Sequence, residues 1–502
     1  MALTLGQRLF AHGGIYVASR LANRGIALFL LVPVYTRFLG ADGYGAIRVL
    51  NYLGLFFFFF FSQGLIVAWY RLRFDQQTED ELKIFESTLI WYLSFSCVAG
   101  LLIVSVCGDW IATTMTSGIP YFPLGFLTVV GACFNVFANL YERKLQADQK
   151  PVAFGIFSGL RTILNLILVV LFVATLRLDV LGKVSADTLS ALILAILAIA
   201  YMRPRGLGGF SRAKLTLSLS YGLPLLPHSL AVTFNEMVGT LFVNNQLGVE
   251  EAGIYSLGLQ LATLSLVLAL ALNQAYSPIF LRTVKDSEMA KEEGDEKRSA
   301  TLLAQVSRSG LLLITFVGCL AMSIAAFGRE VIMLLATPEF GESWIVVAPI
   351  SGSVLTFTLY AVFNQVVYYV PARAKWIGVM TVLGAISNFG LCFLLIPHIR
   401  FLGPAIALLT SNAILAFGTF LLSRDCLPIR YPFSTWGLNL LLIYGALLAF
   451  WTIDWFGEVG SVRFLMKLMI LSSFVPASCV LSGLAPRHLF RFLSEVRTRF
   501  FR

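Results

Sequence analysis

Residues 39–47 read LGADGYGAI, and residues 247–255 read LGVEEAGIY. The two stretches align without gaps at an offset of 208 residues, with Gly40 on Gly248, Asp42 on Glu250 and Gly45 on Gly253. Each closes one long apolar run and opens the next. A weaker echo pairs KPVAFGIFSGL (150–160) with KWIGVMTVLGA (375–385). Together these matches predict two homologous halves. Six apolar crossings lie between the matched loops, so both halves enter the membrane in the same direction. Such a parallel repeat has its axis along the membrane normal, an arrangement that places a substrate site between two moving halves.

The runs around these loops are too long and too numerous for a soluble core. The chain has 502 residues, of which 58% are apolar and only 13% charged, against about 25% charged in an ordinary soluble domain. At about 20 residues per crossing, the pattern predicts fourteen spans. They are 12–38, 43–69, 86–107, 119–141, 151–175, 186–202, 217–246, 252–281, 308–328, 344–370, 376–397, 402–423, 434–456 and 463–484. The expected fold class is an all-α polytopic membrane protein. A six-helix lobe covers 1–202, a basic glycine-rich linker (RPRGLGGFSRAK) 203–214, and a second six-helix lobe 215–425. Residues 426–502 add two helices and a basic tail.

Loop charge sets the orientation. With the N-terminus in the cytoplasm, most loop lysines and arginines fall on the cytoplasmic side. The opposite loops hold only Arg37, Arg177, Lys183, Arg329 and Arg400. That asymmetry is the positive-inside pattern, and it accounts for most of the net charge of +10 without nucleic acid. Both termini are expected in the cytoplasm. Arg8 precedes an apolar run with no small-residue cleavage site, which reads as a first span and not a removable signal. Seven scattered cysteines without a CxxC motif read as packing residues, and four distant histidines offer no zinc site. No metal or cofactor is expected. The mixed-charge stretch RTVKDSEMAKEEGDEKRSA (282–300) reads as a solvated helix or linker.

Polar residues inside the spans carry the functional signal. Arg308, Arg463 and Lys467 lie near span ends, where snorkelling explains them. Arg20, Arg24, Arg48 and Arg161 lie deeper. A mid-membrane arginine costs about 2.5–3.5 kcal/mol on insertion scales and normally faces a partner or a wet cavity. His12, Tyr16, Arg20 and Arg24 share one helix face; Tyr44, Arg48, Asn51 and Tyr52 another; Ser158, Arg161 and Asn165 a third. The interiors of these three helices hold no acid, and Glu142 sits at the end of span four beside Arg143 and Lys144. An anion site is the expectation, since guanidinium binds phosphate through bidentate, charge-assisted hydrogen bonds. The second lobe offers Glu236 as a coupling group for proton or sodium, or as a partner for an arginine. Asn244, Asn273, Gln274, Asn364 and Gln365 are candidate substrate contacts, and Tyr360 and Asn388 add further polar groups. Each of these also fits ordinary interhelical hydrogen bonding.

PVYTRFLGADGYG (33–45), SYGLPLLPHSL (220–230), NNQLGVEEAGIYSLGLQL (244–261) and LLIPHIRFLGPAIALL (394–409) resemble the polysaccharide transporter, or O-antigen flippase, branch of the multidrug/oligosaccharidyl-lipid/polysaccharide (MOP) flippase superfamily. The resemblance covers roughly residues 5–425. It implies two lobes in a V around a central cavity. It also implies translocation of a polyprenyl-pyrophosphate-linked oligosaccharide across a bacterial inner membrane, for O-antigen, capsule or exopolysaccharide synthesis. Membrane lipids, a polysaccharide polymerase and glycosyltransferases are its implied partners. In related lipid II flippases, arginines on the first two helices handle pyrophosphate, and Arg20, Arg24 and Arg48 stand in comparable places. The last two helices form a groove for the lipid tail in those relatives. The drug-extruding branch instead carries an acidic cation site in its first lobe, whereas spans one, two and five here are basic.

Three functions compete at this point. The first is flipping of a lipid-linked glycan by alternating access, without covalent chemistry. The second is a cation-coupled multidrug antiporter centred on Glu236. The third is a membrane glycosyltransferase or ligase, which would need an acidic cluster in an outer loop. The first outer loop supplies Asp42 alone.

Overall fold

The computed structural model describes residues 25–202, 209–457 and 460–483. It is helical, with no strand among the described residues. In chain order the helices are α1 (Val32–Ser62), α2 (Leu65–Leu72), α3 (Glu79–Val106), α4 (Gly108–Met115), α5 (Phe126–Ala147), α6 (Pro151–Val169), α7 (Asp179–Met202), α8 (Arg212–Gly222) and α9 (Leu226–Leu247). They continue with α10 (Val249–Ala262), α11 (Leu264–Glu292), α12 (Glu296–Leu335), α13 (Val347–Tyr369), α14 (Pro371–Ile399), α15 (Leu402–Arg424), α16 (Phe433–Phe456) and α17 (Ser461–Leu481).

Twelve helical stretches among the described residues are long and apolar enough to cross a membrane. The difference from fourteen has two sources. About half of span one lies outside the described residues, and the rest runs into span two as the single stretch Leu28–Ser62. Gly40, at φ 65° and ψ −171°, makes the bend between them. Span seven is divided between α8 and α9 by the short turn Leu223–Leu225. The charged stretch 282–300 is helical on both sides of a turn at Gly294, and its residues are largely exposed.

The chain divides into two compact units. One comprises 1–256, 335–340 and 392–401; the other comprises 257–334, 341–391 and 402–502. The first has a core built on Val49, Leu53, Phe57, Phe61, Trp69, Leu89 and Val136. The second has its own, around Ile314, Val317, Leu355, Val366, Ile443 and Phe450. In the phenylalanine run, Phe57 and Phe61 are buried while Phe60 is 46% exposed. The run therefore faces both core and surroundings.

Within the first unit, the repeat becomes a physical contact. A Cβ on Gly45 would lie 1.9 Å from the Val249 carbonyl oxygen, and a Cβ on Gly253 would lie 2.2 Å from the Ala41 carbonyl oxygen. Ala41 and Val249, like Gly45 and Gly253, are 208 residues apart. The contact is therefore reciprocal, the mark of a two-fold relation. Only glycine permits backbones to approach so closely, as in small-residue helix crossings in membranes. Gly40 and Gly248 both have positive φ, 65° and 104°, so the same chain reversal precedes each crossing.

Side chains repeat the relation. Thr36 shares its hydroxyl between the Val32 carbonyl one turn back, at 3.0 Å, and the Leu335 carbonyl, at 3.3 Å. Asn244, again 208 positions on, donates through Nδ2 to the Ser117 carbonyl at 2.9 Å. Glu339 Oε2 accepts from the Ala41 amide at 3.1 Å, and the Phe340 ring meets Tyr44 edge-on at 5.6 Å.

Candidate functional site

Arg48 lies eight residues beyond the bend at Gly40, about 12 Å along the helix. Its charged group is held among phenols. Its electrostatic neighbours are Tyr52, Tyr44 and Tyr35, and its Cζ lies 5.8 Å from the Tyr52 ring centre. Arg48 Nε is buried without a hydrogen-bond partner. No carboxylate among the described residues forms an ion pair with Arg48. The aromatic faces attract the cation weakly, but they leave donor capacity unused.

Tyr35 connects this arginine to a second charged group. Lys183 Nζ lies 5.6 Å from the Tyr35 ring centre and is ion-paired with Asp187. Lys183 and Asp187 are four residues apart on α7, hence on one face. Asp187 Oδ1 also accepts from Asn165 Nδ2 at 2.7 Å, and that amide reaches Ser190 Oγ at 3.3 Å. Beside this cluster is a cavity of about 270 Å³ between α1, α5 and α7. Asn51, Asn135, Asn139, Thr128 and Thr188 line it together with Lys183 and Asp187. Arg48, Lys183 and Asp187 together leave one positive charge over, but Arg48 does not line the cavity, where Lys183 and Asp187 balance. The surplus beside Arg48 suits an anion, and the cavity adds amides and hydroxyls for neutral hydrogen bonding.

Other residues singled out in the sequence are differently placed. Arg161 has a carboxylate near it after all: Glu142 Oε1 lies 3.4 Å from its Nη2. The interior of α6 is acid-free, but the partner comes from α5. That contact is too open for full satisfaction, since Arg161 Nε and Nη2 remain buried without hydrogen-bond partners. Arg20 and Arg24 lie outside the described residues, as does the side chain of Glu236 on α9. Asn244 belongs to the reciprocal contact described above. In the second unit, Gln365 Nε2 donates to Asn273 Oδ1 at 3.4 Å, and Ser277 Oγ donates to Gln365 Oε1 at 3.1 Å. Asn364 Oδ1 is buried without a partner, and Gln274 is exposed.

Lys183, Asp187 and Tyr35 were not candidates on sequence grounds. Lys183 reads as an outer-loop charge because two further charges, Arg177 and Asp179, precede it. In the structure it is on α7, and its side chain is 7% exposed. The i, i+4 spacing of Lys183 and Asp187 was the available signal. Arg463 and Lys467 are also corrected. Neither snorkels: Lys467 is fully buried and pairs with Glu330 at 2.9 Å and Asp454 at 2.6 Å. Arg463 pairs with Glu330 at 3.1 Å.

Comparison with known proteins identifies the family and the fold. The family model described as "Polysaccharide biosynthesis protein" matches residues 9–284. The chain belongs to that family. It is 21% identical over 430 residues to Lsg locus putative protein 1 of Haemophilus influenzae, covering 83% of this chain and 99% of that protein. An uncharacterized membrane protein of the same organism is 22% identical over 390 residues, covering 76% and 89% of the two chains. Among solved structures, the lipid II flippase MurJ in an inward closed conformation superposes with a TM-score of 0.69 at 14% identity, over 94% of this chain and 99% of that one. An inward-facing multidrug resistance MATE family transporter of the MOP superfamily gives a TM-score of 0.61 at 16% identity, over 82% and 97%. The polysaccharide biosynthesis family member thus has the MOP fold, and its structural neighbours are transporters and flippases.

Proposed function

We propose that this protein flips a polyprenyl-pyrophosphate-linked oligosaccharide from the cytoplasmic to the outer leaflet of a bacterial inner membrane, by alternating access. Arg48 carries the reading. It is an arginine inside a membrane helix, ringed by tyrosines, with an unused donor and no carboxylate pair among the described residues. A dehydrated pyrophosphate supplies the negative charge and the acceptors that such a group lacks. Arg20 and Arg24 are assigned to the same headgroup. Asn273, Gln365 and Asn364 offer hydrogen-bonding groups of the kind sugar hydroxyls use, and Glu236 remains the candidate coupling group for proton or sodium. No covalent step is assigned.

The reciprocal glycine contact supports alternation. It packs the first turns of two repeat-related helices backbone to backbone at the end opposite the basic loops. Substrate release at that end requires the contact to part. The antiporter alternative is disfavoured by one pairing. Asp187 is the acid on the first-lobe cavity, and the ammonium of Lys183 already occupies it.

The test replaces Arg20, Arg24 and Arg48 singly with alanine, verifies membrane insertion, and measures glycan export in cells. Export at the parental level in all three variants would remove the anion-site assignment. Altered drug susceptibility in a deletion strain, with glycan export intact, would favour the antiporter.

A further inference from the structure

A second charged cluster lies in the other unit, where α12, α16 and α17 meet. Lys467 and Arg463 share Glu330, and Lys467 also binds Asp454. Arg329 donates to the Asp454 carbonyl and lies 5.2 Å from the Trp344 ring centre. Trp344, Trp451 and Trp455 pack on one another beside it. Tryptophans gather at the depth of lipid headgroups, so this end of the helices is at the membrane interface. Among the described residues three cations meet two carboxylates; Glu458, in the link between α16 and α17, lies outside them.

An open cavity of about 590 Å³ adjoins the cluster. Its floor is Gly457, Gly460, Ser461 and Arg463, and its walls are apolar, with Phe456 and Met466 prominent. Arg463 is 5% exposed, and its Nε and Nη1 have no hydrogen-bond partner. Nη1 stands 3.6 Å from Asp454, an ion pair but not a hydrogen bond. The N-terminus of α17 opens on the same cavity. Gly460 provides no side-chain cap, so the first-turn amides are unmet donors. Uncapped amides at the positive end of a helix, joined by an arginine with free N–H groups, form an anion site.

We propose that this cavity binds the phosphate headgroup of a membrane lipid. The phosphate sits on the Ser461–Arg463 amides and the Arg463 guanidinium, and the chain lies along Phe456 and Met466. The assignment is independent of the transported cargo and stands whether or not the flippase reading holds.

The experiment uses purified full-length protein in a neutral detergent. Intrinsic tryptophan fluorescence, to which Trp451 and Trp455 contribute among eight tryptophans, is followed during titration with dihexanoyl phosphatidic acid. Dihexanoylglycerol, which lacks the phosphate, and inorganic phosphate, which lacks the chain, are titrated in parallel. Saturable binding of the phosphatidic acid and none of dihexanoylglycerol is expected, with inorganic phosphate competing at no less than about 100-fold higher concentration. Ser461→Asp places a negative charge on the anion site, yet suits a helix N-terminus, so the fold survives. It should weaken binding by about tenfold or more, while Ser461→Asn keeps it within about twofold of the parent. Equal binding by the parent and Ser461→Asp, or no saturable binding, overturns the site. Equal binding of inorganic phosphate and the lipid overturns the lipid assignment.

Discussion

Arg48 and Ser256 occupy the same position of the repeat, 208 residues apart, and the two halves use it for opposite purposes. Ser256 is completely buried, and its hydroxyl lies 3.4 Å from that of Thr240. Arg48 is half-buried among tyrosines and keeps an unmet donor. Four residues earlier in each helix comes Tyr44 or Ala252, and one more back comes the matched pair Gly43 and Glu251. The halves therefore agree at Gly45 and Gly253, where backbone geometry demands it, and part company within one turn. A duplicated scaffold keeps what its packing requires. Charge stands at this position in one half alone, which is what the proposed headgroup role of Arg48 expects.

The largest effect should come from forcing the halves to match in the wrong direction. Ser256→Arg places an uncompensated charge at a site with no exposure. A stranded buried charge costs about 3–5 kcal/mol. Loss of the monodisperse peak in size-exclusion chromatography is expected. A folded, fully stable variant would show that the second half tolerates charge as the first does, and the comparison would lose its force.

The reverse exchange, Arg48→Ser, should spare the fold and remove function. Two charge-assisted hydrogen bonds, at roughly 1.5–3 kcal/mol each, correspond to about 100-fold or more in transport. Arg48→Lys retains charge without the planar fork and should fall between. The readout is glycan export at matched membrane levels, with thermal unfolding as the control for folding. A fall in stability that matches the fall in export would make Arg48 a structural residue like Ser256.

Lys183→Met sharpens the distinction between held and available charge. It leaves Asp187 with Asn165 alone. Because Asp187 is 35% exposed, water tempers the loss to about 1–2 kcal/mol. The double variant Lys183→Met, Asp187→Asn should recover most of it, as measured by thermal unfolding. Failure of the second substitution to compensate would show that Lys183 acts on Tyr35 or on the cavity, not chiefly on Asp187.

These residues also show where sequence reasoning stops. Most of the spans, the loop around Gly40 and the register of the repeat were legible because each is a local property. Long apolar runs must cross a membrane, and matched loops recur at a fixed offset. Arg48 stood out because a lone arginine in an apolar helix has a large solvation cost. Ion pairs were not legible, because their members come from different helices. Glu142 reaches Arg161 from α5, and Glu330 reaches Lys467 from 137 residues away. Lys183 and Asp187 were hidden differently, by a helix that starts seven residues before the apolar run suggests.

The smallest effect tests the symmetric part. Thr36 and Asn244 hold matched positions, and each reaches a backbone carbonyl outside its own helix, although Thr36 shares its hydroxyl with the Val32 carbonyl one turn back. A single interhelical hydrogen bond in a membrane protein contributes about 0.6 kcal/mol, with about 1.7 as the upper end. Thr36→Val and Asn244→Leu each remove one such donor while filling the space with apolar atoms. If the two contacts are the same device used twice, the two variants lose similar stability, and the double variant loses about their sum. Additivity is the ordinary result for separate sites. Because both contacts flank the same glycine crossing, a loss well beyond the sum would mean that each clasp holds only while the other is closed. The junction would then part as one cooperative unit, and the symmetry that distinguishes it from Arg48 and Ser256 would be a property of its motion as well as of its packing.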